Sequence, residues 1–190
     1  CLDRELPFLV MIFPEAGSAF DDIATDLGLV YAVDFPIMVR SDLLLEPSGN
    51  PEVEVVRASG AEDADASADV MASAYSMPKD SVLRALPASL FDTTGADVYV
   101  ARLNGEAVGT GTMTYHGETC GIWAMGTDAA RQRGGIGLRL LSTAMVQARN
   151  NGARRFFLGA TPAGYRLYEG LGFETVCSAR VWVSGETHQA

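Results

Sequence analysis

The sequence predicts an α/β domain built on a mixed sheet, and three observations predict it. Asn104-Gly105 sits between two strand-like runs, Val98 to Leu103 and Ala107 to Tyr115, and supplies the positive φ angles of a tight hairpin. Arg131-Gln132-Arg133-Gly134-Gly135-Ile136-Gly137 leads directly into the apolar stretch Leu138 to Ala148, a glycine loop opening a helix. Asn150-Asn151-Gly152 then stops that helix ahead of a short buried strand, Phe156 to Ala160. Antiparallel hairpins therefore feed a parallel strand–helix–strand crossover around the glycine loop.

The elements follow in order. Glu46-Pro47-Ser48-Gly49-Asn50-Pro51 concentrates turn formers, so residues 41–52 are expected to be a linker between a short N-terminal region and a long domain over residues 53–184, with a tail at 185–190. Val53 to Arg57 is expected as a strand. Ala61 to Ser76 is expected as a helix with acidic residues in its first turns, and a short second helix follows Pro78. After the hairpin, a turn at His116-Gly117 leads to a third strand, Thr119 to Met125. The glycine-loop helix carries Leu140, Leu141, Ala144, Met145 and Ala148 on one face. Thr161-Pro162 is expected to cap the last helix, and Glu174 to Val183 to form the last strand.

Composition narrows the function. With 190 residues, 48% of them hydrophobic, the chain can bury one full core. Its apolar runs, such as Pro7 to Pro14 and Val176 to Val183, are too short or too interrupted for the roughly 20 residues of a spanning helix, so no membrane partner is expected. Cys1, Cys120 and Cys177 share no ligand-like spacing; reduced thiols in a cytoplasmic protein and no metal site are expected. The chain begins at Cys1 without Met, which leaves room for residues upstream. A net charge of −10 with no basic stripe argues against nucleic acid. Arg131, Arg133 and Arg139 nevertheless form a local positive island at the glycines, suited to a small anionic ligand.

A glycine-rich loop at a helix start aims unpaired amides and the positive dipole end at an anion, so phosphate is the expected guest. The usual nucleotide patterns fail. A dinucleotide fingerprint follows the first strand of a doubly wound unit, whereas here three antiparallel strands come first. A Walker loop needs Gly-Lys-Ser/Thr, and the only lysine is Lys79.

Val53 to Val183 resembles the GNAT superfamily of acyl-CoA-dependent N-acyltransferases. Gln132-Arg133-Gly134-Gly135-Ile136-Gly137 matches the family's Gln/Arg-x-x-Gly-x-Gly loop, and Leu167-Tyr168-Glu169-Gly170-Leu171-Gly172-Phe173 matches its Leu-Tyr-x-x-x-Gly-Phe run. The resemblance implies an N-acetyltransferase that uses acetyl-CoA, with Gln132, Arg133, Gly134, Gly135, Ile136, Gly137 and Leu138 cradling the pyrophosphate. Met125, Gly126 and Thr127, ending a strand that splays from its neighbour, would bond the pantetheine arm through the backbone. Tyr168 would be the general acid for the departing thiolate, and a phenol with a reference pKa of about 10 is already protonated at pH 7. The alternative is a regulatory module that holds acyl-CoA without turnover.

The acceptor is expected to be a small-molecule or peptide amine, and the base that takes its proton is left open by the sequence. Glu118, a water relay and, more weakly, His116 are the candidates; Tyr115 and Trp123 read as core or sheet-face residues. Phe8 to Val39 also runs strand, proline, helix, Leu-Gly-apolar, strand, like Phe156 to Val183. Ile23-Ala24-Thr25-Asp26-Leu27-Gly28-Leu29 falls on Leu167 to Phe173, and Ala24 on Tyr168. Residues 1–40 are therefore expected to be the last β-α-β of a degenerate acyltransferase-like unit, serving to extend the sheet, shape the acceptor cleft or make a homodimer contact.

Overall fold

The computed structural model describes residues 8–41, 46–87, 89, 91 and 95–184. Cys1, the first seven residues of the N-terminal segment, residues 42–45 of the expected linker and the tail at 185–190 lie outside the described residues. The strands are β1 (Leu9–Ile12), β2 (Leu29–Arg40), β3 (Glu54–Arg57), β4 (Ala96–Leu103), β5 (Glu106–His116), β6 (Thr119–Thr127), β7 (Arg155–Gly159) and β8 (Glu174–Ser184). The helices are α1 (Ala19–Asp26), α2 (Gly60–Tyr75), α3 (Lys79–Ala85), α4 (Ile136–Asn150) and α5 (Tyr165–Gly170). They build one mixed sheet in the order β1-β8-β2-β7-β6-β5-β4-β3. The β6–β7 pair is parallel, as the crossover through α4 requires, and the other neighbours are antiparallel.

Local chemistry sets the turns. Asn104 and Gly105 both have positive φ, 53° and 84°, which lets a two-residue loop join β4 to β5. Gly152 follows α4 with φ of 103°. α2 stops differently: Ser76 takes φ of 52°, and its N–H returns to Ala72, so a serine holds the left-handed cap position that glycine usually fills. The last helix corrects an expectation. α5 begins at Tyr165 with Gly164 as its cap, because the Thr161 carbonyl accepts the N–H groups of both Gly164 and Tyr165 at 3.0 Å and closes a separate turn first.

The main core lies where α4 meets the sheet: Leu140, Leu141, Ala144, Met145 and Ala148 are all 1% exposed or less, as the helix periodicity predicts. α2 and α3 bury a separate cluster around Ala68, Met71 and Val82. β2 lies between β7 and β8, and its Met38 joins the main core. The turn-rich stretch at 46–51 packs on α4. Ser48 donates its N–H to Ser142 Oγ at 2.9 Å, and Asn50 donates to the carbonyl of Gly135 at 3.3 Å.

Candidate active site

The site begins where two parallel strands part. Pairing between β6 and β7 covers Thr119 to Gly121 alone, so the later residues of β6 present backbone groups to a gap. An aromatic pair stands at the fork: the rings of Trp123 and Phe157 meet edge to face at 5.4 Å, and both reach over Gly121. On the other side of β6 a bulge places Ala124 and Met125 against Gly111 alone, between the Thr112–Trp123 and Thr110–Gly126 pairs. Ala124 takes φ of 49° to make it, and such bulges re-aim a strand. The Met125 carbonyl accepts the hydroxyl of Tyr75, the last residue of α2, at 2.7 Å.

From Thr127 the chain enters the glycine loop. Asp128 anchors the turn: its carboxylate accepts the N–H of Ala130 at 2.8 Å and the hydroxyl of Ser73 at 3.3 Å. Arg133 at φ of 64° and Gly135 at 74° bend the loop so that α4 starts beside the strand end. As the first helical residues, Ile136, Gly137 and Leu138 have N–H groups with no carbonyl one turn earlier to bond, and the helix dipole adds to their pull on an anion. Gly137 keeps the approach open; a methyl group there would sit 3.4 Å from both Leu167 Cδ2 and Thr127 Oγ1.

Tyr168 faces this loop from α5. One cavity of about 560 Å³ is lined by Tyr168, by Met125, Gly126 and Thr127, and by Gln132, Arg133, Gly135, Ile136, Gly137 and Leu138. Gly134, the remaining predicted contact, is off the wall. The Tyr168 phenol is 7% exposed, leans edge to face on Phe173 at 6.1 Å and packs on Gly164. Burial, with the nearby Tyr75 adding to it, raises its pKa above that of a free phenol. It therefore holds its proton through the physiological range.

Several expectations change here. The positive island is dispersed: Arg131 pairs with Glu106 at 3.0 Å, and Arg139 turns its Nε toward the Val53 carbonyl at 3.4 Å. Arg133 remains on the cavity wall, joined by Arg166 from α5, which sequence reasoning missed. Neither Glu118 nor His116 lines the cavity; Glu118 lies seven residues before Met125, about 23 Å along an extended strand. Tyr115 instead donates to Asp97 at 2.8 Å in a different concavity, where Asp97 also pairs with Arg57 at 2.6 Å. No Asp, Glu or His is among the described residues of the wall. The described residues also contain no cluster of groups able to hold a metal ion and no helix long and apolar enough to cross a membrane.

A glycine-loop helix start, a forked strand pair and a buried phenol on the next helix thus meet in one cavity. Residues 67–173, more than half of the chain, match the acetyltransferase (GNAT) family, and the chain belongs to that family. Its fold is similar to a GCN5-related N-acetyltransferase from Kribbella flavida, with 20% identity and a TM-score of 0.71 over 97% of this chain and 70% of that one. A second such protein, from Sphaerobacter thermophilus, shows 17% identity and a TM-score of 0.66 over 95% of this chain and 60% of its own length. A transcriptional regulator from Bacillus halodurans C-125 shares the fold at 23% identity and a TM-score of 0.53, over 64% of this chain and 93% of that one. No curated protein matches the sequence.

Proposed function

We propose that the protein moves an acetyl group from acetyl-CoA to a primary amine by direct transfer. The observation that carries this reading is that the strand end, the helix start and Tyr168 meet in one cavity. Acetyl-CoA supplies an activated thioester. The amides of Ile136, Gly137 and Leu138, with Arg133, fit its pyrophosphate, and the gap beside Met125, Gly126 and Thr127 fits an extended pantetheine arm adding backbone bonds like a further strand. Tyr168 protonates the thiolate as it leaves.

The amine must arrive neutral, and removing a proton from an alkylammonium of pKa about 10.4 at pH 7 costs roughly 4 to 5 kcal/mol. With no carboxylate or imidazole among the described wall residues, water carries that proton out. The acceptor is a small-molecule or peptide amine, attracted as a cation in solution by the net charge of −10 and deprotonated before it attacks. The unpaired Cys120 and Cys177 thiols support a reducing, cytoplasmic setting.

The wall without a base also favours a second reading, a module that holds acyl-CoA without turnover. Thiol release from acetyl-CoA with a panel of amines separates the two. Release that depends on the amine and falls about 10²-fold or more in Tyr168→Phe, with the thermal shift by coenzyme A retained, supports the transferase. Coenzyme A binding with no release by either protein supports the module. No thermal shift at all overturns both.

A further inference from the structure

Residues 8–40 and 156–184 pair in the sheet as two copies of one unit. Across β1 and β8, Leu9 faces Val183, Val10 faces Trp182 and Met11 faces Val181. Across β7 and β2, Phe157 faces Val39, Leu158 faces Met38 and Gly159 faces Ile37. Exchanging β1 with β7 and β2 with β8, with Leu27-Gly28-Leu29 set on Leu171-Gly172-Phe173, turns the first set of pairs into the second. The β2–β8 pairing maps onto itself about the Phe35–Ala179 pair, and its two irregularities exchange: Ala32, skipped between Tyr31 and Val33, takes the place of Val176, skipped between Thr175 and Cys177. The separate buried cluster of Ile12, Ala24, Leu29 and Trp182 becomes Ala160, Tyr168, Phe173 and Met38, all of them in the main core. A coincidence of element order does not reproduce register, bulges and core together.

The symmetry breaks at one place. The far edge of β7 carries the parallel strand β6, whereas β1 ends the sheet among the described residues. Burial breaks with it: Leu158 and Leu171 are 1% and 7% exposed, but their counterparts Val10 and Leu27 are 36% and 59% exposed. Phe20 and Ile23 of α1 are exposed beside them, at 49% and 51%. An open strand edge next to a run of exposed apolar side chains marks a surface built to be covered.

We infer that the edge of β1 and the outer face of α1 seat a strand parallel to β1 and the helix that follows it, counterparts of β6 and α4, supplied by the same polypeptide N-terminal to residue 1. The duplication assigns the covering strand the parallel direction that β6 has beside β7, and that direction points to its source. A parallel neighbour reaches its partner through a crossover of a dozen or more residues, more than precede β1 at Leu9. A second copy of residues 1–190 does not fit, because its β6 is already paired on both sides and its β1, brought up by a two-fold axis, would pair antiparallel. Ala24 stands where Tyr168 stands, so the completed unit lacks the phenol and completes the sheet without catalysing transfer.

Hydrogen exchange tests this on the protein encoded by the whole gene beside the 190-residue chain. The intact protein is expected to protect the amides of Leu9 to Ile12 at least roughly tenfold more. Leu27→Glu should lower the Tm of the intact protein by about 5 °C and leave the 190-residue chain within about 1 °C of its own value. Val176→Glu, at an equally exposed site on β8, should shift neither. A gene with no upstream residues, equal exchange of β1 in both proteins, or a structure with β1 paired antiparallel to a second copy overturns the inference, whatever the acetyl-transfer assay shows.

Discussion

Tyr168 and Gly164 act as one steric unit. A methyl group on Gly164 would lie 2.8 Å from Tyr168 Cε2 and 3.1 Å from its hydroxyl oxygen, while the backbone there is ordinary, with φ of −88°. Gly164→Ala is therefore expected to move the ring rather than the chain, lowering kcat about 10²-fold for a cost in stability of about 1–2 kcal/mol. Kinetics beside a melting curve check this, and an unchanged kcat would remove Tyr168 from the reaction. Tyr75 makes the opposite case. Its hydroxyl occupies the Met125 carbonyl that the proposed arm would approach, so Tyr75→Phe should lower KM for acetyl-CoA about twofold to tenfold with kcat little changed. The pH profile belongs to the residue scale as well. With no titratable base among the described wall residues and the Tyr168 pKa raised, kcat/KM for the amine should rise about tenfold per pH unit toward the amine's own pKa. It should not bend near pH 6–7, and an inflection there would reveal a protein base.

At the scale of elements, the glycine loop is held from behind by the stretch at 46–51. The Gly135 carbonyl receives both Asn50 N–H and Arg139 N–H, which fixes the residue that starts α4. Gly49 allows this contact: its φ is 97°, and a methyl group would lie 2.6 Å from both Arg139 N and Gly135 O. Gly49→Ala should weaken coenzyme A binding about tenfold or more, although Gly49 is off the cavity wall. Calorimetric titration checks this; unchanged affinity would show that the loop keeps its shape unaided. The turn-forming composition of 46–51 was plain in the sequence. Its contact with α4 was not, because Ser48 and Ser142 are far apart in the chain and no periodicity links them.

For the whole molecule, the placement of β2 decides cooperativity. β2 separates β7 from β8 and joins both by antiparallel pairing, and the Arg40 guanidinium donates to the carbonyl of Leu171, just past the helix that carries Tyr168. A chain starting at residue 41 is expected to lose cooperative unfolding rather than persist as a free domain, and Met38→Ala in the full chain to cost about 2–5 kcal/mol. Circular dichroism melts of both proteins provide the check. A truncated chain that melts sharply would show that β7 and β8 can close on each other.

The sequence by itself determined the elements of the long region, the glycine loop and the phenol, because each rests on local signals: Asn-Gly dihedrals, a helical stripe of Leu and Ala, and two short motifs. It also exposed the likeness between Ile23–Leu29 and Leu167–Phe173. Only the tertiary structure decided that Arg131 and Arg139 turn from the cavity and that Arg166 and Tyr75 join it. Those outcomes depend on sheet register and on the fork between β6 and β7. Both are set by contacts between residues distant in the chain, which local propensity does not encode.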